Sequence, residues 1–275
     1  MRASHWLAAA VFALAAPGLA GAEGGAAVAR RVTSIRRFPA EEARQAVAVD
    51  ATHFYAIDDR RIGKYAKRTG ERVATWSAPE GSPIVHLNSG IVVAGRLLCA
   101  HSNYPAVPMQ SSIESFDTAR LAHVGSQPLD VADGSATWID RQGGGFWVAF
   151  ANYAGRGGAP GRGPEQTFVL RFDAGFRRLG RLAFPAAVVR RFGGRSNSGG
   201  AFGPDGLLYA TGHNAPELYV LRAPKAGDTL ELVEIVPATL EGQGLAFDPS
   251  DPDVLWTILR ASREVVASRL VAPGH

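Results

Sequence analysis

The sequence contains one cysteine, Cys99, among 275 residues, so no disulfide can form within the chain. Cys99 lies in an apolar run from Leu97 to Ala100, which favours a small buried hydrophobe over a nucleophile. A domain without disulfides depends on its hydrophobic core, and about 250 residues are enough to bury one.

Beyond the N-terminus there is no apolar run of the ~18 residues that a membrane helix needs. The N-terminus itself has Arg2, an apolar stretch over residues 6–16 and the small residues Ala20-Gly21-Ala22. This pattern is typical of a secretory signal peptide, and we predict one over residues 1–22. The alternative is a buried N-terminal helix. Export predicts a periplasmic or extracellular protein with a flexible segment at 23–29, one domain over 30–275 and no membrane span after signal removal.

Lysine is scarce, since only Lys64, Lys67 and Lys225 occur, and arginine supplies nearly all of the positive charge. The formal net charge is +4. The basic residues are scattered, apart from a small group at Arg190, Arg191 and Arg195. A nucleic-acid-binding protein usually has a denser basic stripe with interleaved aromatic residues, so we expect no nucleic-acid partner.

Long segments with helical periodicity are missing as well, and only residues 185–193 suggest one short helix. The chain instead repeats a unit of about 45 residues, with a longer interval between the third and fourth copies. Each copy has a short apolar strand, a turn with Asp, Gly or Pro, and a second strand, followed by a third strand. The copies of the strand pair are AVAVDATHFYAI (46–57), GIVVAGRLLCA (90–100), ATWIDRQGGGFWVAF (136–150), GAFGPDGLLYAT (200–211) and GLAFDPSDPDVLWTI (244–258).

A unit of this length with four short strands predicts an all-β fold, a β-propeller with five blades. Six blades remain the alternative, with the extra blade inside residues 151–199. The fifth copy lacks an outer strand near Leu270. The segment RRVTSIRRF (30–38) is predicted to supply that strand and to close the ring.

Propeller geometry sorts the polar residues onto two faces. Four aspartates, Asp50, Asp140, Asp205 and Asp248, lie in or beside turns between first and second strands, where Asp suits the turn geometry. We assign them to structure. The loops before each first strand and after each second strand meet on the opposite face, around the channel mouth, where ligand sites commonly lie.

Polar side chains of these mouth loops are the candidate substrate-binding residues. They are Gln45, Asn88, Asn103, Ser135, Asn152, Tyr153, Asn197, Asn214, Gln243 and Arg260. For the Asn and Ser residues the alternative is that they cap backbone groups at strand ends.

Three histidines fall on the same mouth, and His86, His101 and His213 are the candidate catalytic residues. With Glu241 they are also candidate ligands for a divalent metal ion, although no cofactor is firmly predicted and no H-E-x-x-H motif occurs. A metal-free alternative uses a histidine as general acid or base, with Asn, Ser or Arg holding a carboxylate or oxyanion. The sequence has no G-x-S-x-G motif, and the Gly-rich segment 155–165 lacks the G-K-[ST] ending of a P-loop, so we interpret it as a flexible rim loop.

Three stretches, RIGKYAKRTGERVATW (61–76), HLNSGIVVAGRLLCAHSNYPAVPM (86–109) and SNSGGAFGPDGLLYATGHNAPELYVLR (196–222), resemble exported bacterial β-propeller proteins called cycloisomerases, after the muconate-lactonising propellers. The resemblance implies lactone formation or opening near a channel mouth, with His and Arg contacting a carboxylate substrate. The five-repeat plan and EGQGLAFDP (241–249) also resemble plant-type glutaminyl cyclase, although the Trp- and Glu-rich motifs of that family are absent.

Two classes of function follow. One is a lactonase- or cycloisomerase-like enzyme, a hydrolase or isomerase that acts on a small anionic or polar compound. The other is a non-catalytic module that binds a carbohydrate, a peptide or a protein. The enzyme predicts a deep pocket with a histidine of shifted pKa, and the module predicts a shallow mouth. We expect a monomer in either case.

Overall fold

Nearly all of the regular structure consists of β-strands. The computed structural model describes residues 29–129 and 134–271, and the strands in these ranges form five four-stranded antiparallel sheets. The predicted signal peptide, 1–22, and residues 23–28 lie outside the described residues. None of the described helices is long and apolar enough to cross a membrane.

Each sheet is one blade, and four of the five blades are continuous in sequence. The first contains β2 (Ala46–Val49), β3 (His53–Asp58), β4 (Arg61–Ala66) and β5 (Arg72–Ser77). The second contains β6 (Leu87–Val93), β7 (Arg96–Ser102), β8 (Ser111–Asp117) and β9 (Ala122–Leu129). The third contains β10 (Ser135–Gln142), β11 (Gly145–Ala151), β12 (Phe168–Phe172) and β13 (Arg178–Ala183). The fourth contains β14 (Gly199–Phe202), β15 (Leu208–Thr211), β16 (Glu217–Arg222) and β17 (Glu231–Pro237).

The fifth blade joins the two ends of the described chain. It consists of β18 (Ala246–Phe247), β19 (Val254–Leu259), β20 (Glu264–Val271) and the N-terminal strand β1 (Arg31–Pro39). Strand β1 pairs antiparallel with β20, so that Arg31 lies opposite Val271 and Phe38 opposite Val265. The prediction that an N-terminal strand closes the ring is confirmed.

The prediction of five blades is confirmed, and the alternative of six is wrong. Residues 151–199 contain the two outer strands of the third blade together with long loops, and no additional strand pair. The short helix predicted at 185–193 is present as α1 (Ala186–Val189), followed by a 3₁₀ turn over Arg190–Phe192. The long interval between the third and fourth copies is therefore loop.

The hydrophobic core is divided into five clusters, one between each pair of neighbouring blades. Between the fifth and first blades, Phe54 stacks on Tyr65 and Trp256, with ring centroids 4.9 and 5.3 Å apart. Cys99 is buried between the first and second blades, and burial raises the pKa of its thiol, as expected for a small core residue. Because every blade buries both of its faces, the ring is held by packing all the way round.

The turn aspartates make the structural contacts that their position predicts. Asp50 accepts hydrogen bonds from the backbone N–H of His53 and the hydroxyl of Tyr55, at 2.7 and 2.6 Å. Asp248 accepts one from the indole N–H of Trp256 at 2.9 Å. These carboxylates anchor aromatic side chains of the second strands and lie away from the mouth.

Candidate functional site

A cavity of about 340 Å³ lies at the mouth of the propeller, and all five blades contribute to it. Its walls come from the loops before the inner strands and after the second strands. The polar and aromatic lining comprises Arg44, Gln45 and Asp59 from the first blade, His86, Asn88 and Tyr104 from the second, Thr137, Tyr153 and Arg156 from the third, Arg195, Ser198 and His213 from the fourth, and Gln243 and Arg260 from the fifth.

The charge of this lining is strongly positive. Four arginines line the cavity, and Asp59 is the only carboxylate among the described lining residues. Neither Arg195 nor Arg260 forms an ion pair within the described parts of the chain, and Arg260 Nε is buried without a hydrogen-bond partner. Burial and the neighbouring charge of Arg44 lower the pKa of Arg260. A cavity with this excess of unpaired guanidinium groups favours an anionic ligand.

The carboxylate of Asp59 is hydrogen-bonded to His86. Asp59 Oδ1 lies 2.7 Å from His86 Nδ1 and accepts a second hydrogen bond from Gln45 Nε2, also at 2.7 Å. Burial by itself would raise the pKa of Asp59, but these hydrogen bonds and the charge of Arg44 together hold it below its ordinary value. An ionised Asp59 assigns the proton of neutral His86 to Nδ1 and leaves Nε2 as the basic nitrogen.

His213 lies on the opposite side of the lining, in the fourth blade. Its Nδ1 lies 2.6 Å from Asn214 Oδ1, an arrangement that also leaves Nε2 unprotonated in the neutral ring. Burial lowers the pKa of His213, and the charges of Arg260 and Arg195 act in the same direction. His213 is therefore a neutral imidazole at neutral pH, able to accept a proton.

An aromatic wall runs from His86 toward the third blade. The rings of His86 and Tyr104 have centroids 5.0 Å apart, and Tyr104 meets Tyr153 edge to face at 5.2 Å. Burial raises the pKa of Tyr153 to about 12, so its hydroxyl is a neutral hydrogen-bond donor. This wall offers aromatic ring surface beside the arginines.

Five of the ten predicted substrate-binding residues do not line the cavity. Asn103 bridges its own loop, donating to Pro108 O at 3.1 Å and accepting from the N–H of Gln110 at 2.8 Å. Asn152 is buried and donates to Gln166 O at 3.1 Å. Both side chains cap backbone groups, which is the structural alternative for these positions.

Ser135 and Asn197 are fully buried between blades. The Ser135 hydroxyl lies 2.7 Å from that of Ser102 in the second blade. Asn197 accepts a hydrogen bond from the indole N–H of Trp138 at 2.6 Å and donates to the backbone of Thr211 at 2.9 Å. These side chains join neighbouring blades and are not among the lining residues of the cavity.

The predicted residues that do line the cavity are Gln45, Asn88, Tyr153, Gln243 and Arg260. Asn214 acts through His213 and borders an outer recess on the rim, which it shares with Arg44, Arg260 and Glu241. Glu241 accepts a hydrogen bond from the N–H of Ala261 at 2.8 Å and is likewise outside the cavity.

His101, expected at the mouth, does not line the cavity. Successive side chains of a strand point to opposite faces, and His101 shares the face of Cys99, which packs toward the first blade. The structure thus does not bring His101 and Glu241 together with His86 and His213. Within residues 29–129 and 134–271, no three His, Cys, Asp or Glu side chains are arranged to hold a metal ion.

Nine lining residues were not among the predicted site residues, and the charged and aromatic ones are Arg44, Asp59, Tyr104, Arg156 and Arg195. Arg44 and Asp59 stand in the same mouth loops as the predicted residues, so position alone could have found them. Arg156 and Arg195 come from the long loops of the third and fourth blades, whose paths no sequence pattern predicts.

No family model and no curated protein matches the chain. Among solved structures, a luciferin-regenerating enzyme aligns with a TM-score of 0.51 at 10% identity, covering 89% of this chain and 96% of that one. Hydrazine synthase of Kuenenia stuttgartiensis aligns with a TM-score of 0.46 at 10% identity, covering 83% and 96%. A chain of the mitotic checkpoint complex aligns at 0.46 and 8% identity, covering 97% and 99%. The first likeness supports the β-propeller fold and nothing finer, and the resemblances to cycloisomerases and glutaminyl cyclase are not confirmed.

Proposed function

We propose that the chain is a lactonase-like enzyme that opens lactone rings on small carboxylate compounds by general acid–base catalysis at the propeller mouth. The observation that carries the proposal is the Asp59–His86 hydrogen bond on a cavity whose remaining charged groups are arginines. With the predicted signal peptide, the same proposal places this activity in the periplasm or outside the cell.

The arginines account for the class of substrate. Arg195 and Arg260 have no carboxylate partner in the described chain, so a ligand carboxylate can use their full hydrogen-bonding capacity. Tyr104 and Tyr153 supply aromatic side chains against which a small ring can pack. The cavity volume of about 340 Å³ suits a compound of this size.

His86 has the arrangement of a general base. Its Nε2 takes a proton from water as the water oxygen attacks the lactone carbonyl, and Asp59 stabilises the imidazolium that forms. An arginine of the cavity stabilises the oxyanion. The carbon–oxygen bond of the ring then breaks, the alkoxide takes the proton from His86, and a hydroxy acid results. Cyclisation is the reverse of these steps.

The second candidate is a non-catalytic module for an anionic carbohydrate, peptide or protein. It is favoured by the lining amides, since Gln45, Asn88 and Gln243 each donate to another group of the protein and leave little capacity for a substrate. A module of this kind binds an anion without converting it.

The test is a screen of carboxylate-bearing lactones with purified mature protein, following acid release, together with calorimetric binding of the hydroxy acids. Turnover that falls sharply to a measurable residual rate in His86→Gln and is retained in His53→Gln, a variant on the far face, supports the enzyme. Binding without turnover supports the module. If neither binding nor turnover is found for any anion, both functions are rejected.

A further inference from the structure

His101 is buried, with 7% of its surface exposed, and both ring nitrogens have partners. Nε2 lies 3.2 Å from the backbone nitrogen of Val85 and accepts its hydrogen bond. Nδ1 lies 2.9 Å from the hydroxyl of Ser112. The ring therefore spans from the strand pair β7–β8 to the segment that precedes β6.

The directions of these hydrogen bonds are fixed by a buried acid. The Ser112 hydroxyl donates to Glu114 Oε1 at 2.5 Å, and Glu114 is only 3% exposed. The Glu114 carboxylate also accepts a hydrogen bond from the Ser126 hydroxyl at 2.8 Å, and its Oε2 lies 2.7 Å from His123 Nε2. Because the Ser112 hydroxyl proton goes to Glu114, its oxygen accepts from His101 Nδ1–H, and Nε2 is left unprotonated to accept from Val85.

The hydrogen bonds from Glu114 through Ser112 and His101 end at the backbone N–H of Val85. Val85 directly precedes His86, the proposed general base. Two other hydrogen bonds hold the same segment. Leu87 N–H donates to Asp59 O at 2.8 Å, and Ser102 N–H donates to His86 O at 3.2 Å. His101 adds a side-chain contact to the backbone of this short segment from strand β7 of the same blade.

We infer that His101 is a positioning residue, which holds the Val85–His86 backbone so that the His86 ring meets Asp59 with its proton on Nδ1. His101 itself touches no part of the cavity. Only its effect on turnover rests on the proposed function, since the placement of His86 is a property of the free protein. Groups that orient a metal-bound histidine matter by about 10- to 100-fold in activity, and we expect an effect of the same order for His86.

The first test needs no substrate. Nitrogen-15 spectra of histidine-labelled protein report the tautomer of His86, which is assigned by its loss in His86→Gln. The expected result is a single Nδ1–H tautomer in the wild type, a mixed or exchanging ring in His101→Leu, and recovery in His101→Gln, whose amide oxygen can accept from Val85. His123→Gln is the matched control, because it removes another partner of Glu114 without touching Val85. An unchanged His86 signal in folded His101→Leu overturns the inference.

If His101→Leu does not fold, Ser112→Ala serves in its place, because it removes the partner that fixes His101 Nδ1 while leaving the imidazole present. A loss of the single His86 tautomer supports the inference, and a wild-type spectrum overturns it.

The second test uses turnover of a lactone found in the screen. We expect His101→Leu to lower kcat about 10- to 100-fold with little change in ligand affinity. The same substitution in the His86→Gln background should have no further effect. A full additional loss in that background would mean that His101 acts independently of His86 and would overturn the inference. Absence of turnover in the wild type rejects the proposed function and leaves the spectroscopic result standing.

Discussion

The Nδ1 atom of His86 lies 2.7 Å from Asp59 Oδ1 across the boundary between the first and second blades. Asp59 follows the second strand of one blade, and His86 precedes the inner strand of the next. The two side chains are brought together because these two kinds of loop share the mouth of a propeller. The pair therefore depends on the ring as a whole.

Replacing Asp59 tests this pair directly. In Asp59→Asn the carboxylate that fixes the His86 tautomer and stabilises its protonated form is lost, while the size of the side chain is kept. We expect kcat for lactone opening to fall about 10²- to 10³-fold with a small change in ligand affinity. Steady-state kinetics and calorimetric titration separate the two effects. Asp228→Asn, at an exposed position where the side chain accepts a hydrogen bond from the Thr229 hydroxyl, is the control and should behave as wild type.

Arg260 should determine anion affinity more than catalysis. Its Nε has no partner in the described chain, and a ligand carboxylate can supply one. A hydrogen bond to a charged group contributes about 1.5–3 kcal/mol, so Arg260→Gln should weaken binding of a carboxylate ligand by about 10- to 100-fold. Arg222→Gln, on the outer part of the fourth blade, should leave the dissociation constant unchanged. Equal affinity in Arg260→Gln and wild type would remove Arg260 from the binding site.

The fold could be predicted from the sequence because the repeat marks the turns, the buried strands and the one blade that lacks an outer strand. Asp50 and Asp248 mark first-to-second strand turns, the apolar residues between turns mark buried strands, and β1 completes the one blade that lacks an outer strand. These local preferences all agree with one architecture.

The site could be predicted only as a region. At a strand end, a shift of one residue turns a side chain to the other face, so His101 packs toward the first blade while the adjacent Ser102 contacts the third. The Asn197 side chain accepts a hydrogen bond from the Trp138 indole, and these two residues are far apart in sequence. Arg156 and Arg195 reach the cavity through loops without periodicity, so that no pattern could place them.

The pH dependence of stability should contain a contribution from His213. Burial lowers its pKa in the folded state below the ordinary value of about 6.5, so the unfolded chain binds the proton more tightly. Stability is therefore lost as the pH falls below about 6.5 and is fully present above it. Urea unfolding at pH 7.5 and pH 5 should show a smaller loss on acidification in His213→Gln than in the wild type. His53→Gln, a group on the far face, is the control. An equal loss in His213→Gln and wild type would contradict the prediction.

Arg30 should stabilise the closure of the ring. Its guanidinium donates to Tyr209 Oη, Glu234 Oε2 and Asp205 Oδ2, at 3.0, 2.9 and 3.0 Å. The side chain thus ties the residue before β1 to the fourth blade. We expect Arg30→Met to lower the free energy of unfolding by about 2 kcal/mol. Arg37→Met, an exposed change within β1, should cost less than about 0.5 kcal/mol. Similar urea midpoints for the two variants would show that this anchor is dispensable.

Gly244 packs closely against the inner strands of the first and second blades. A Cβ at this position would lie 2.4 Å from Ala46 Cβ and 2.7 Å from Ser89 Cβ. Its N–H also donates to Gln45 O at 2.9 Å, so the inner strand of the fifth blade cannot move away without losing this hydrogen bond. Overpacking of this kind costs about 1–3 kcal/mol, and we expect Gly244→Ala to lower the free energy of unfolding by that amount.

The effect should extend to the cavity, because the neighbours Gln45 and Gln243 both line it. Gly194→Ala is the matched control, since no atom lies within 4 Å of the added Cβ and its backbone is not in the left-handed region. Urea unfolding measures the stability of both variants, and calorimetric titration with a carboxylate measures the site. A Gly244→Ala variant as stable as Gly194→Ala would mean that the inner strands can separate at no cost. In that case the distance between the first and fifth blades at the mouth would be set by something other than tight packing at Gly244.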